Sequence, residues 1–323
     1  MTTPPDSPAL TLATAAALLR AAHPDAEVMD VLPRSGGQLS AVYEVRCADP
    51  AHAAVVKVYA EQWRWKQAKE VYVHGLLAGV DGWPGPAVLH HTGDGGPGGR
   101  AATVLGLLPG VPLSEASPAP GPDRTRALYR SVGAALATAH RLRLDGFGYV
   151  TTRVLDPVPD NGTYMRRQFA RKLAEFAELG GEASLGRALG AFVARRGALL
   201  DHGRAPVLCH NDLHEGNVLV VRGSRGWRVS GVVDVENAVA ADPVLDLAKT
   251  DYYAVRGDAL KREALLAGYG PLPVAAGELE DLLALYRLYH ALELWDWFAS
   301  TGERAPLPGI AADLAELAEG GTA

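Results

Sequence analysis

The stretch Val207-Leu208-Cys209-His210-Asn211-Asp212-Leu213-His214-Glu215-Gly216-Asn217-Val218-Leu219-Val220 decides how this chain is read. Two apolar runs flank a short polar loop in which Asp212 and Asn217 stand five residues apart. At that spacing a carboxylate can accept a hydroxyl proton while an amide oxygen holds a divalent cation against a nucleotide phosphate. Seventeen residues after Asn217, Val232-Val233-Asp234-Val235-Glu236 ends an apolar strand on another acid, where a second metal ligand is needed. The pair is rarer than either half, and it points to phosphoryl transfer.

Upstream of the loop, residues 27–32, 39–47 and 53–59 are β-like, rich in Val and separated by Gly or Pro. The first two enclose the polar turn Arg34-Ser35-Gly36-Gly37-Gln38. Its backbone amides could close over phosphates around Gly36 and Gly37, with Ser40 or Ser35 as side-chain donors. Gly-Gly is also ordinary hairpin chemistry, and the turn lacks the G-x-x-x-x-G-K-[ST] pattern of a P-loop. Residues 61–77 carry apolar side chains at helical spacing, with Gly79 just past the end. Residues 87–91 and 101–108 form a further strand pair joined by the glycine-rich segment 93–99. The front of the chain is therefore predicted to be a five-stranded, mostly antiparallel sheet with one helix.

Lys57 lies inside Val55-Val56-Lys57-Val58-Tyr59. A charged side chain within a buried strand is costly unless it is paired or faces a cleft. Strand alternation sets Lys57 with Val55 and Tyr59 on one face and Val56 with Val58 on the other. The following helix offers Glu70 as a partner that fixes the ammonium for phosphate binding, with Glu61 as the competing acid.

Pro109-Gly110-Val111-Pro112 breaks the β pattern, and residues 114–123 are a Pro-rich connection. Beyond it, residues 124–142, 164–179 and 185–200 read as helices. Two short strands at 218–221 and 229–233 follow the motif loop, and helices resume to the end. The expected fold class is α+β with two lobes: a β-rich lobe over residues 1–108 and a mainly helical lobe over 109–323, with a cleft between them.

Composition narrows the partners. With 31 basic and 37 acidic residues the formal charge is −6, which argues against a general nucleic-acid binder. Cys47 and Cys209, the two cysteines, each sit in an apolar run, as reduced and buried thiols do. No apolar run approaches the roughly 18–20 residues needed to span a bilayer. The apolar segment 10–19 has no basic stretch before it and reads as an amphipathic helix, not a signal peptide. A cytoplasmic protein without nucleic-acid or membrane partners is expected, as a monomer or homodimer.

Taken together, Gly36-Gly37, Lys57, Glu70, the His210-Asn211-Asp212…Asn217 loop, Asp234 and Asp242-Pro243…Asp246-Leu247-Ala248 resemble the aminoglycoside phosphotransferase and choline kinase-like family. Those small-molecule kinases share the two-lobed protein-kinase-like fold. The resemblance spans roughly residues 30–250 and implies ATP (or GTP) and Mg²⁺ as cofactors. It implies Asp212 as catalytic base, Asn217 and Asp234 as Mg²⁺ ligands, and Lys57, held by Glu70, on the α- and β-phosphates. It further implies a hinge at Leu105–Leu107 that contacts adenine, with His210 and Asp246 as structural support beneath the loop.

His214 has no assigned part in that scheme. His210-x-Asp212-x-His214 can also be read as a metallohydrolase cluster. That reading lacks further paired histidines and leaves Lys57, Asn217 and Asp234 unexplained.

The acceptor is written less explicitly. In Tyr286-Arg287-Leu288-Tyr289-His290-Ala291-Leu292-Glu293-Leu294-Trp295-Asp296-Trp297-Phe298, helical spacing groups His290, Glu293 and Trp297 on one face and Tyr289 with Asp296 on the next. Acids beside aromatic walls suit an amine-bearing polyol or a quaternary ammonium, although the same pattern describes core aromatics with a solvated acidic stripe. Glu236 is a further candidate acid at the cleft. The reading is an ATP-dependent O-phosphotransferase for a small, cationic, hydroxylated molecule, with an aminoglycoside-like antibiotic foremost. The alternatives are a metabolic kinase for choline, ethanolamine, homoserine or a sugar-amine, and a catalytically silent nucleotide-binding protein.

Overall fold

The computed structural model describes residues 10–34, 40–93, 95–116, 119–224, 226–272, 274–275 and 277–320. Helix α1 (Leu12–Arg20) starts at Thr11, whose hydroxyl accepts the Thr14 N–H and satisfies one of the unpaired amides of the first turn. Strands β1 (Val28–Arg34), β2 (Ser40–Cys47) and β3 (Ala54–Tyr59) follow, then helix α2 (Arg64–Ala78), β4 (Val88–Thr92) and β5 (Ala102–Gly106). The five strands form one antiparallel sheet in the order β1-β2-β3-β5-β4, as the alternation predicts. Val56 and Val58 join Val45, Val104 and Leu19 in a core beneath α1, while Lys57 and Tyr59 face the other way. Residues 61–63, predicted as helix, form a 3₁₀ turn ahead of α2. The turn holding Gly36 and Gly37 lies outside the described residues.

Gly110 begins the crossing to the second half. Its φ of +121° suits glycine, and a Cβ there would stand 2.5 Å from the Val220 carbonyl oxygen. The chain continues through β6 (Val111–Pro112), α3 (Pro122–Ala139), β7 (Phe147–Val150), β8 (Val154–Val158), α4 (Asn161–Glu178), α5 (Ala183–Arg196) and β9 (Val207–Cys209). Next come β10 (Val218–Gly223), β11 (Gly226–Val232), β12 (Val239–Ala241), α6 (Pro243–Thr250), a π-helical turn (Asp251–Val255), α7 (Ala259–Tyr269), α8 (Leu279–Thr301) and α9 (Leu307–Glu319). Two small sheets, β11-β10-β6 and β8-β7-β12-β9, lie among these helices. Strands β7, β8, β9 and β12 escape the sequence pattern. Each has three to five residues, too few for alternation to show, and pairing with the others makes them strands. Helix α4 begins earlier than its apolar stripe, because the Asp160 carboxylate accepts the Thr163 N–H.

Three apolar cores result. One lies under the front sheet, and the largest joins α3–α9. The third packs Val73 and Leu77 of α2 against Ala139, Leu208, Val235 and Ala238. That core seats the front helix on the loop following Asp234, and so fixes how the two halves of the site meet. Among the described residues no helix is long and apolar enough to cross a membrane.

Candidate active site

Strand β3 and helix α2 build the upper wall. Lys57 is 7 % exposed, and its Nζ donates to Glu70 Oε1 at 2.9 Å. Glu70 is fully buried, and Tyr59 Oη donates to its other oxygen. His74, one turn further along α2, approaches Glu70 at 3.8 Å. Burial opposes both charges of the pair. The carboxylates of Asp234 and Glu70 nevertheless hold the Lys57 ammonium well above its ordinary pKa, and the Lys57 charge with the His74 ring holds Glu70 well below the usual carboxylate range. Removing one member of such a buried pair strands the other at a cost of about 3–5 kcal/mol.

The lower wall is the motif loop between β9 and β10. Asp246, at the start of α6 and fully buried, accepts the His210 N–H at 2.6 Å and the Asn211 N–H at 2.8 Å. His140 Nε2 lies 3.0 Å from the same carboxylate. These contacts set the loop from beneath. His210 Nε2 meets the Val233 carbonyl at 3.1 Å, tying the loop to the strand that ends at Asp234. Asn217 Nδ2 donates to the Asp212 carbonyl at 2.9 Å, which commits its nitrogen to the loop and leaves the amide oxygen for another partner. Asn211 and Asp234 both adopt positive φ, 59° and 68°. Such non-glycine backbone costs of order 1–3 kcal/mol and persists where surrounding contacts dictate it.

The two walls meet at one ammonium. Lys57 Nζ donates to Asp234 Oδ1 at 3.2 Å and lies 3.7 Å from Glu236 Oε2. The structure therefore brings together Lys57, Glu70, Asp234 and Glu236 from positions up to 179 residues apart. Burial, with Asp234 alongside, pushes the Glu236 carboxyl up to about 7. Asn217 and Asp234 offer an amide oxygen and a carboxylate, hard oxygen ligands of the kind Mg²⁺ takes.

The remaining candidates are placed as follows. Ser40 opens β2, buried and paired with Tyr59. Leu105 is buried in β5, and Leu107 is 37 % exposed with its N–H on the Ala53 carbonyl at 3.3 Å. Glu293 is enclosed by Lys249 at 3.5 Å, His290 Nδ1 at 3.0 Å and Tyr289 Oη at 3.1 Å. Against the effect of burial, the Lys249 charge and His290 hold Glu293 well below the carboxylate range. Asp296 is 4 % exposed beside Lys172 at 3.2 Å, and Trp297 is 37 % exposed.

The histidine cluster reading finds no geometry to support it. His210 is engaged by Val233, and His214 Nδ1 accepts the Gly216 N–H at 3.0 Å. The one His/Cys/Asp group with metal-ligand spacing among the described residues is His140, Cys209 and Asp246. Both Asp246 oxygens there are already occupied by the loop amides.

Several residues of the site are absent from the sequence reading. Lys66 sits one turn before Glu70, and Asn237 three residues after Asp234, so both had a positional signal. Tyr149 lies 3.9 Å from Lys69 Nζ on strand β7, whose brevity hid it. Lys249 stands three residues past Asp246 and faces Glu293.

A β-sheet lobe carrying a lysine–glutamate pair, set over a helical lobe carrying an aspartate–asparagine loop and a second acid, defines a kinase-like phosphotransferase. The chain belongs to the phosphotransferase enzyme family, whose model matches residues 30–297. Among curated proteins none matches it. Among solved structures, aminoglycoside phosphotransferase APH(4)-Ia is similar at 15 % identity, with a TM-score of 0.70 over 97 % of this chain and 100 % of that one. The GDP and kanamycin complex of APH(2")-IIIa is similar at 17 % identity and TM-score 0.62, covering 94 % and 96 %. A putative aminoglycoside phosphotransferase from Ralstonia eutropha is similar at 16 % identity and TM-score 0.66, covering 96 % and 98 %. These likenesses show the fold.

Proposed function

We propose that this protein transfers the γ-phosphate of ATP, or GTP, to a hydroxyl of a small molecule, with an aminoglycoside as acceptor. The observation that carries the reading is the Lys57–Asp234 contact at 3.2 Å. It sets the front-lobe cation and the back-lobe acid side by side above the loop that bears Asp212. Asp212 takes the hydroxyl proton as the acceptor oxygen approaches the phosphorus, because a neutral alcohol attacks poorly until its proton has a destination. Lys57, held by Glu70, takes the α- and β-phosphates, with Gly36, Gly37 and Ser40 as further candidate donors to them. Asn217 and Asp234 would hold Mg²⁺, which would neutralise phosphate charge. Positioning and charge neutralisation supply most of the acceleration, since the transition state is loose. Residues 1–108 form the nucleotide lobe and 109–323 the acceptor lobe, with adenine at Leu105–Leu107. The need for ATP places the reaction in the cytoplasm.

The acceptor is assigned to the space among Glu236, Glu293, Tyr149 and Tyr164. Burial raises both tyrosines, and the charge of Glu293 adds to each and that of Glu236 to Tyr149, which is consistent with these groups lying near one another. Asp296 pairs with Lys172, whose charge bears on Glu293, and the half-exposed Trp297 on the same helix is assigned as an aromatic wall. Carboxylates beside aromatic faces suit an amine-bearing polyol. The solved aminoglycoside phosphotransferases of this fold include a ternary complex with ADP and hygromycin B.

The test is a screen of purified protein with Mg²⁺-ATP against kanamycin, hygromycin B, choline, ethanolamine and homoserine, following ADP release and product mass. Phosphorylated kanamycin or hygromycin B is expected. Phosphocholine or phosphohomoserine instead would move the acceptor to metabolism, and no acceptor-dependent ADP would overturn the proposal.

A further inference from the structure

Helix α2 delivers a second amine to the cleft, one that the scheme above does not use. Lys66 precedes Glu70 by one turn and is 6 % exposed. Its Nζ donates to Asn237 Oδ1 at 3.0 Å and to the Glu236 carbonyl at 3.3 Å. At the other end of the same amide, Asn237 Nδ2 donates to Asp212 Oδ2 at 3.1 Å. Asn211 Nδ2 donates to the Asn237 carbonyl at 3.2 Å, so the loop also grips the backbone of this residue.

The amide can sit in only one sense. Lysine offers donors alone and an ionised carboxylate accepts alone, so the Asn237 oxygen must face Lys66 and its nitrogen must face Asp212. The reversed amide would set N–H against ammonium and oxygen against carboxylate. With Oδ2 held, the rotation of the Asp212 carboxylate is restrained, and Oδ1 is the oxygen left to be assigned to the incoming proton. The anchor at the far end is rigid as well, because Val235 and Ala238, on either side of Asn237, pack in one core with Val73 and Leu77 of α2.

We propose that Lys66 and Asn237 are positioning residues that fix the rotamer of the base Asp212 and tie it to the seating of helix α2. The front lobe thus acts on both reactants: Glu70 aims Lys57 at the nucleotide, and Lys66, one turn away, aims the base at the acceptor. This inference rests on the reading of Asp212 as base, and its test separates the two.

The probe is hydrolysis of Mg²⁺-ATP with water as acceptor, read beside binding of a fluorescent ADP and crystal structures of the variants. Asn237→Ala is expected to lower kcat by about 30–100-fold, the scale of a misplaced reacting group. The ATP KM and ADP affinity should stay within about twofold, because the hydrogen-bond partners of Asn237 are Lys66, Asp212 and Asn211, none of them assigned to nucleotide or metal. Lys66→Met should lower kcat less, and Lys66→Arg should restore most of it. The double variant should be no slower than Asn237→Ala alone, since both losses run through one carboxylate.

In an Asp212→Asn background, Asn237→Ala should change the residual rate by less than about twofold, whereas a merely structural residue would lower it further. Lys66→Met tests the chain from the other lobe should Asn237→Ala fold poorly, and the Asp212 rotamer in crystals decides wherever turnover is slow. Full kcat in both single variants, additive losses, or an unmoved Asp212 carboxylate would overturn the proposal. Full hydrolysis by Asp212→Asn would instead refute the assignment of the base.

Discussion

Replacing Asp246 with alanine should cost both stability and rate, and the contacts set the size of each. The carboxylate accepts the amides of His210 at 2.6 Å and Asn211 at 2.8 Å and faces His140 at 3.0 Å, in a fully buried position. Alanine leaves the buried His210 N–H and the part-buried Asn211 N–H without acceptors, at about 1–3 kcal/mol each, so the loss centres on about 4 kcal/mol. Unfolding entropy runs near 2.1 cal/mol/K per residue, so a 323-residue chain should melt about 6 °C lower. Asparagine keeps one acceptor oxygen but turns its NH₂ toward the other N–H, so it should lose at least half as much.

Rate should fall as well, because the two amides flank the start of the loop that carries Asp212. A displacement near 1 Å would cost about a hundredfold in kcat. Scanning calorimetry of the wild type, Asp246→Asn and Asp246→Ala, with Mg²⁺-ATP turnover on the same preparations, measures both effects. A Tm for Asp246→Ala within about 1 °C of wild type, with turnover within about twofold, would refute the role given to these hydrogen bonds.

Other substitutions probe the remaining parts of the site. Asp212→Asn should nearly abolish turnover and leave fluorescent-ADP binding within about threefold, whereas Asp234→Asn should weaken Mg²⁺-nucleotide binding by tenfold or more, because it removes the charge of the proposed metal ligand. Glu70→Gln keeps the shape of a buried partner but not its charge. It should raise the ATP KM more than it lowers kcat, as titration of initial rates against ATP will show.

Lys69 supplies a test by pH. It is fully buried without a hydrogen-bond partner, and burial, with Lys66 nearby, pushes it down to about 6. The unfolded chain keeps that proton up to about pH 10.4. Between these limits the unfolded state binds more protons, so native stability should rise with pH. Lys69→Met should remove this rise and increase Tm, most at pH 6 and below and least near pH 10, in melts taken across that range.

The candidate active-site loop was legible because its spacing is local. Five residues between Asp212 and Asn217 follow from the length of one loop, and the alternation of β3 alone turned Lys57 away from Val56 and Val58. The pairing of Lys57 with Glu70 was also readable, since the strand and the helix after it adjoin in sequence. Short strands such as β7 and β12 were not readable, because three or four residues carry no period and their pairing partners decide them. With β7 hidden, the contact of Tyr149 with Lys69 could not be foreseen.

The amino-acid sequence by itself determined the two-lobed order of strands and helices, the loop that pairs Asp212 with Asn217, and the reaction class those residue types can perform. Tertiary structure decided which charges meet. Lys57 reaches Asp234 across 177 residues, Lys66 grips Asn237 across 171, and Glu293 is already answered by Lys249 and His290. The physical reason is range. Spacing along the chain fixes neighbours within a turn or a hairpin, whereas contacts between lobes depend on how Val73 and Leu77 seat against Val235 and Ala238, which no local pattern encodes.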